Sequence, residues 1–181
     1  MKIDSNEVYK KRLVSSFDLE RYGYIMHNVR TADVSTNMEF QTKFNGFYRV
    51  RRNKEWRDLY YSLFEQAKKN NNSFEKIIRD IYDKTNKVEA SFASKMYATL
   101  NPNMPIWDQY VLQELELELT GKNEERLENA IALYSKIEKK INSFLKSEDG
   151  IQCIKSFDKT FPSYKEISNV KKIDFFLWGN R

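Results

Sequence analysis

From Lys54 to Ala67 the apolar residues Trp56, Leu59, Tyr60, Leu63, Phe64 and Ala67 recur every three or four positions, the spacing that lays one stripe along a helix. Asn70-Asn71-Asn72 breaks that stripe, and Ser73 then supplies an N-cap for a second helix carrying Phe74, Ile77, Ile78, Ile81 and Tyr82 on one face. A third helix begins near Val88. It places Phe92, Met96 and Leu100 on its larger face, while Ala90, Ala93, Ser94 and Ala98 let a neighbour come close. Asn101-Pro102-Asn103 stops it, and Pro105 keeps the chain extended up to the next cap. The longest helix is expected from about Asn123 to Lys146, with Leu127, Ala130, Ile131, Tyr134, Ile137, Ile141, Phe144 and Leu145 as its seam. Ser168 caps a last helix carrying Val170, Ile173, Phe176, Leu177 and Trp178, an aromatic load that calls for docking onto the rest of the chain.

Between these lies Val111-Leu112-Gln113-Glu114-Leu115-Glu116-Leu117-Glu118-Leu119, which fits two periods. Its Glu/Leu alternation from Glu114 suits a strand, while Leu112, Leu115 and Leu119 suit a helix. A helix is expected, because Asp108 can cap it, Glu and Leu favour helix, and Gly121 stands where a terminating glycine belongs.

Only 5 Gly and 3 Pro occur in 181 residues, too little turn chemistry for many strands. An all-α fold follows: a compact multi-helix orthogonal bundle of about eight helices, forming one domain over residues 1–181. Residues 1–45 are its less legible N-terminal part, with Thr31 to Asn37 read as a surface loop, and residues 46–181 form the helical core with its docked C-terminal helix. The longest apolar stretches, such as Phe175-Phe176-Leu177-Trp178, fall far short of a membrane span, and Met1 to Glu7 holds no signal-peptide core, so a cytoplasmic location is expected. Cys153 and His27 stand alone as cysteine and histidine, which excludes an internal disulfide and a Cys/His zinc site. No acidic cluster has metal-ligand spacing, and no cofactor is expected. His27 reads as a packing or surface residue and Cys153 as a partly buried thiol. Gly121-Lys122 lacks the glycine and hydroxyl residue that a phosphate loop needs.

Met104-Pro105-Ile106-Trp107-Asp108-Gln109-Tyr110-Val111 closes one helical pattern and opens the next with a carboxylate at the first turn. This stretch resembles the Pro-Ile-x-Asp-x-x-Val segment of the adenine branch of the helix-hairpin-helix DNA glycosylases. The likeness extends upstream through Ala90-Ser91-Phe92-Ala93-Ser94-Lys95 and covers about a quarter of the chain. It implies a glycosylase-like fold, with Asp108 as the carboxylate that faces the sugar C1′ and stabilises an oxocarbenium-like centre once the base is flipped out. A helix N-terminus favours negative charge at that place. The same facts fit a plain N-cap, worth about 1 kcal/mol. Trp107 and Tyr110 flank Asp108 and would stack on an extruded base, although burial of Trp107 in the core explains it equally well. The family's hairpin is glycine-rich, whereas here the matching stretch is Asn86-Lys87-Val88-Glu89. Where the bifunctional branch carries its Schiff-base lysine, this chain has Glu89, so lyase chemistry by that route is excluded by residue type. A single cysteine also rules out the iron–sulfur cluster of many relatives in that family.

Net charge is +5, and all of the excess lies in residues 1–90, where 18 Lys and Arg face 13 Asp and Glu. Its densest part, Lys43 to Arg57, packs six cations, one acid and four aromatic residues into fifteen positions. Cations interleaved with aromatics suit a phosphate backbone and exposed bases. Arg49, Arg51, Arg52, Arg57, Lys87 and Lys95 are the candidate phosphate contacts, and Tyr48 joins Trp107 and Tyr110 as a candidate wall for a base. If extended, the segment puts Arg49 and Arg51 on one side, opposite Tyr48, Val50 and Arg52. The competing account is a solvated basic edge whose aromatics belong to the core and whose arginines pair with Glu114, Glu116 and Glu118. Tyr48 to Asn53 with Trp56-Arg57, and the tail from Lys171-Lys172-Ile173-Asp174 to Leu177-Trp178, also resemble a family of uncharacterised bacterial proteins, a likeness that carries no activity. The expected function is binding of duplex DNA at a lesion or distorted site, with monofunctional base excision through Asp108. The alternative is a non-catalytic scaffold that meets a protein partner.

Overall fold

The computed structural model describes residues 15–179, so the segment from Met1 to Glu7 lies outside the described residues. Nine α-helices follow one another without a strand among these residues. They are α1 (Ser16–Asn28), α2 (Met38–Tyr48), α3 (Lys54–Asn70), α4 (Phe74–Thr85), α5 (Ala90–Leu100), α6 (Gln109–Glu114), α7 (Asn123–Leu145), α8 (Glu148–Thr160) and α9 (Asn169–Gly179), with a short 3-10 turn at Pro162–Tyr164.

Capping chemistry sets most of the boundaries. Side chains of Ser15, Asn37, Asn53, Ser73, Asp108 and Ser147 each accept a backbone N–H of the helix they open. Asn71 and Asn86 end α3 and α4 in the left-handed conformation that asparagine tolerates. On α3 the buried face holds Tyr60, Leu63, Phe64 and Ala67 together with Tyr61 and Glu65. On α4 it is Phe74, Ile77, Ile78 and Ile81.

One continuous core links the helices, and its centre is aromatic. Phe40 and Phe44 of α2 meet Tyr60, Tyr61 and Phe64 of α3, and Tyr48 packs against Phe44 and Phe47 of its own helix. Phe175 and Trp178 of α9 join the same cluster through Phe47 and Tyr22. The C-terminal helix packs against α6, α7 and α8, with Ile173, Phe176 and Leu177 buried. No helix among the described residues is long and apolar enough to cross a membrane.

Three local readings are corrected. The helix opened by Asp108 stops at Glu114 instead of running toward Gly121. Glu116 takes φ 53°, and the Leu117 N–H folds back to the Leu112 carbonyl at 2.9 Å, which closes the end. Beyond it the alternating period governs, since Leu117 and Leu119 are half-buried against the core while Glu116 and Glu118 face solvent. Second, α8 is an element that periodicity did not single out: it buries only Gly150, Cys153 and Phe157, and turns Ile151 outward. Burial pushes the Cys153 thiol up to about 11. Third, Val34 in the loop between α1 and α2 is fully buried. Its N–H donates at 2.9 Å to buried Glu65, which also pairs with Lys68 at 2.7 Å, and Lys68 donates in turn to the Ala32 carbonyl. His27 is exposed in the last turn of α1.

Candidate functional site

Asp108 is held from three sides. The link between α5 and α6 is pinned by the Tyr134 hydroxyl, which donates to the Pro105 carbonyl at 2.8 Å, and by the Ser168 hydroxyl, which donates to the Pro102 carbonyl at 2.5 Å. Inside the core the Trp107 N–H donates to the Ser94 hydroxyl at 2.9 Å. With its backbone fixed in the extended region, Asp108 Oδ1 accepts the N–H groups of Tyr110 and Val111, each at 2.9 Å. The carboxylate is half-buried.

It faces a cleft of about 430 Å³. Phe47, Tyr48 and Trp178 give the cleft its aromatic lining, Arg49 and Lys95 its cations, and Ser91, Gln109, Asp108 and Tyr110 its remaining polar groups. Such a volume lies in the range of small-molecule sites, roughly 300 to 1,000 Å³. Four chain segments that are remote in sequence therefore converge: the end of α2, the first half of α5, the start of α6 and the end of α9.

Arg49 reaches the cleft at a conformational cost. It is the C-cap of α2 with φ 53° and ψ 47°, a left-handed backbone that an arginine rarely adopts. The following segment alternates as an extended chain would. Tyr48 and Val50 are buried, Arg49 and Arg51 are exposed, and Arg52 is half-buried. Tyr48 turns its hydroxyl to that of Thr99 at 3.3 Å, and burial raises its phenol far above the ordinary range. Lys95 lies 4.9 Å from the Phe92 ring centroid.

Asp108, Tyr110, Tyr48, Arg49 and Lys95 are thus brought together, and the other candidates stand elsewhere. Trp107 is 5% exposed and belongs to the core, outside the cleft lining. Arg52 is engaged within the protein: its guanidinium meets Glu89 at 2.6 Å and lies over the rings of Trp56 and Phe92. Arg51 is exposed and outside the cleft lining, Arg57 is half-buried on α3, and Lys87 is exposed on the link between α4 and α5. In place of the competing account's pairing with Glu114, Glu116 and Glu118, Arg52 pairs with Glu89. Phe47, Ser91, Gln109 and Trp178 were not among the candidates. Gln109 could have been reached from its place beside Asp108, whereas Phe47 and Trp178 carry only the signal of core aromatics.

Compared with protein-family models, curated proteins and solved structures, the chain matches none of them. No group of three or more His, Cys, Asp or Glu among the described residues could hold a metal ion.

Proposed function

We propose that the chain binds duplex DNA at a lesion or distorted site, and that the cleft beside Asp108 receives a nucleotide extruded from the stack. The observation that carries this reading is the convergence of one carboxylate, two cations and four aromatic rings on a single open cleft of nucleotide size. Arg49 and Lys95 meet phosphates, with exposed Arg51 extending the same track. Half-buried Trp178 offers the face on which a base stacks, with the nearly covered Phe47 and Tyr48 packed against it as the body of that wall, and Tyr110 stands beside the carboxylate. Asp108 faces the sugar and stabilises the cationic centre of a monofunctional excision, in which water supplies the attacking oxygen. The order of α4, a four-residue link and α5 is consistent with the helix-hairpin-helix resemblance.

A competing reading, a non-catalytic scaffold that meets a protein partner, draws support from that same link. It contains no glycine, and it holds the Glu89 carboxylate where the glycosylase hairpin offers bare amides to a phosphate.

The deciding measurement compares affinity for a duplex bearing an abasic-site analogue with that for the undamaged duplex, at about 50 and 200 mM salt. Tighter binding to the analogue, weakening with salt, is expected; equal failure to bind either duplex refutes the proposal. Any excision detected is expected to fall roughly 100-fold or more in Asp108→Asn, because the amide keeps the helix cap but removes the charge. An unchanged rate in that variant would end the catalytic part of the reading.

A further inference from the structure

We propose that the buried Lys171–Asp174 pair of α9 is a positioning device for the cleft, holding the rings on which an extruded base stacks. The inference rests on the reading of the cleft as a nucleotide site and adds residues that touch no ligand. The two side chains lie about one helical turn apart, form an ion pair, and are each only 4% exposed. Around the Lys171 ammonium stand five rings, those of Tyr22, Phe47, Tyr48, Phe175 and Trp178, with centroids 4.8 to 5.4 Å away. Phe47, Tyr48 and Trp178 are the three that line the cleft. The ammonium therefore sits directly behind the cleft's aromatic wall.

Lysine is almost never buried unless paired, and a buried pair is commonly no more stabilising than well-packed apolar residues of the same volume. A core that needed only cohesion would be served as well by Met and Leu. What the ammonium adds is direction. Cation–π attraction orients ring faces toward one point, and the Asp174 carboxylate fixes where that point lies. Phe47 and Trp178 are held 5.6 Å apart between centroids, and Tyr48 meets Trp178 edge-on at 6.4 Å. A wall with fixed planes can stack on a flat base, whereas loosely packed rings must be ordered at each encounter.

The test uses a duplex carrying one mispaired 2-aminopurine, a base whose fluorescence reports stacking. The parent protein is expected to bind this duplex and change its fluorescence. The double variant Lys171→Met with Asp174→Leu removes the pair at near-constant volume. It is expected to stay folded and to keep the parent's salt dependence, while losing the fluorescence change and binding roughly tenfold more weakly. Should that variant fail to fold, Lys171→Gln, whose amide can still donate to Asp174, is compared with Lys171→Arg, which keeps a cation among the rings. The arginine variant is expected to retain the signal and the glutamine variant to lose it. A folded double variant, or a folded glutamine variant, that keeps both the parent's affinity and its fluorescence change overturns the proposal. If the parent itself binds no duplex, the nucleotide-site reading fails first and this inference falls with it.

Discussion

Arg49→Gly should make the protein more stable and a worse ligand for DNA at once. With φ 53° and ψ 47°, Arg49 occupies a backbone conformation that costs an L-residue roughly 1 to 2 kcal/mol. Glycine adopts it without strain, but gives back about 0.5 to 1 kcal/mol through the greater freedom of its unfolded chain. The net gain is therefore about 0 to 1.5 kcal/mol, which for a chain of this length raises Tm by up to about 6 °C. Because Arg49 is exposed at the cleft, its side chain offers little packing to set against that gain. Binding should move the other way. Loss of one phosphate contact makes the slope of log K against log salt shallower by roughly 0.9. Circular-dichroism melts and fluorescence-anisotropy titrations over a salt series read the two effects separately. A lowered Tm would show that Arg49 supports the scaffold, and an unchanged slope would show that it meets no phosphate.

Two glycines should respond with opposite signs to the same substitution. A Cβ on Gly150 would stand 2.0 Å from the Phe144 carbonyl oxygen, so Gly150→Ala should cost about 1 to 3 kcal/mol despite alanine's helix preference, whereas Gly23, with nothing within 4 Å, should gain about 0.5 to 1 kcal/mol in Gly23→Ala. Urea denaturation of the two variants checks both. Replacing Glu65 by alanine strands the half-covered Lys68 ammonium and the buried Val34 N–H, so a loss of roughly 3 kcal/mol or more is expected, and a change under 1 kcal/mol would contradict that network. Alkaline pH should unfold the protein through its tyrosines. Burial raises the phenols of Tyr22, Tyr48, Tyr60, Tyr61 and Tyr134, so the stability they lend is complete below their ordinary value near 10 and is lost as pH climbs toward the raised values. The part of the tyrosinate absorbance that belongs to these five should then rise only in step with loss of helix; ionisation of all eleven tyrosines completed before unfolding would refute the buried placement.

What could be read from the chain was whatever local chemistry decides alone. The stripes from Trp56 to Ala67 and from Phe74 to Tyr82, the caps at Ser73, Asp108 and Ser168, and the stop at Asn101-Pro102-Asn103 all reappear, because each depends on neighbours within a turn or two. The end of α6 was misjudged for a physical reason. Helix and extended patterns overlap through Leu115, and the choice between them falls to burial of Leu117 and Leu119, which is a matter of tertiary packing. Charge pairing was equally hidden. Arg52 lies 37 residues from Glu89, and no spacing rule announces that contact. Lys171, Lys172 and Asp174 look like the polar side of an amphipathic helix, yet all three are buried, because α9 is covered on several faces by α6, α7, α8 and the aromatic cluster.

The departures from local rules are not scattered evenly. Of the five non-glycine residues with positive φ among the described residues, Asn71, Asn86 and Asn123 are asparagines, which adopt that conformation readily, while Arg49 and Glu116 are not. Arg49 lines the cleft, and Glu116 ends the short helix that Asp108 begins. The buried Lys171–Asp174 pair lies against the rings of the same cleft. Departures elsewhere, such as the buried Glu65 paired with Lys68 and the outward-facing Ile151, stand apart from one another. A chain shaped by stability alone would have little reason to gather a strained arginine, a truncated helix and a buried ion pair around one opening, since each has a simpler stable replacement in Gly, Asn or an apolar residue. Strain of this kind persists where the arrangement itself is useful. Under the proposed DNA-binding role of the cleft, replacements at Arg49, Lys171 and Asp174 that raise or preserve Tm should weaken binding, whereas equally stabilising changes at Gly23 should leave it untouched.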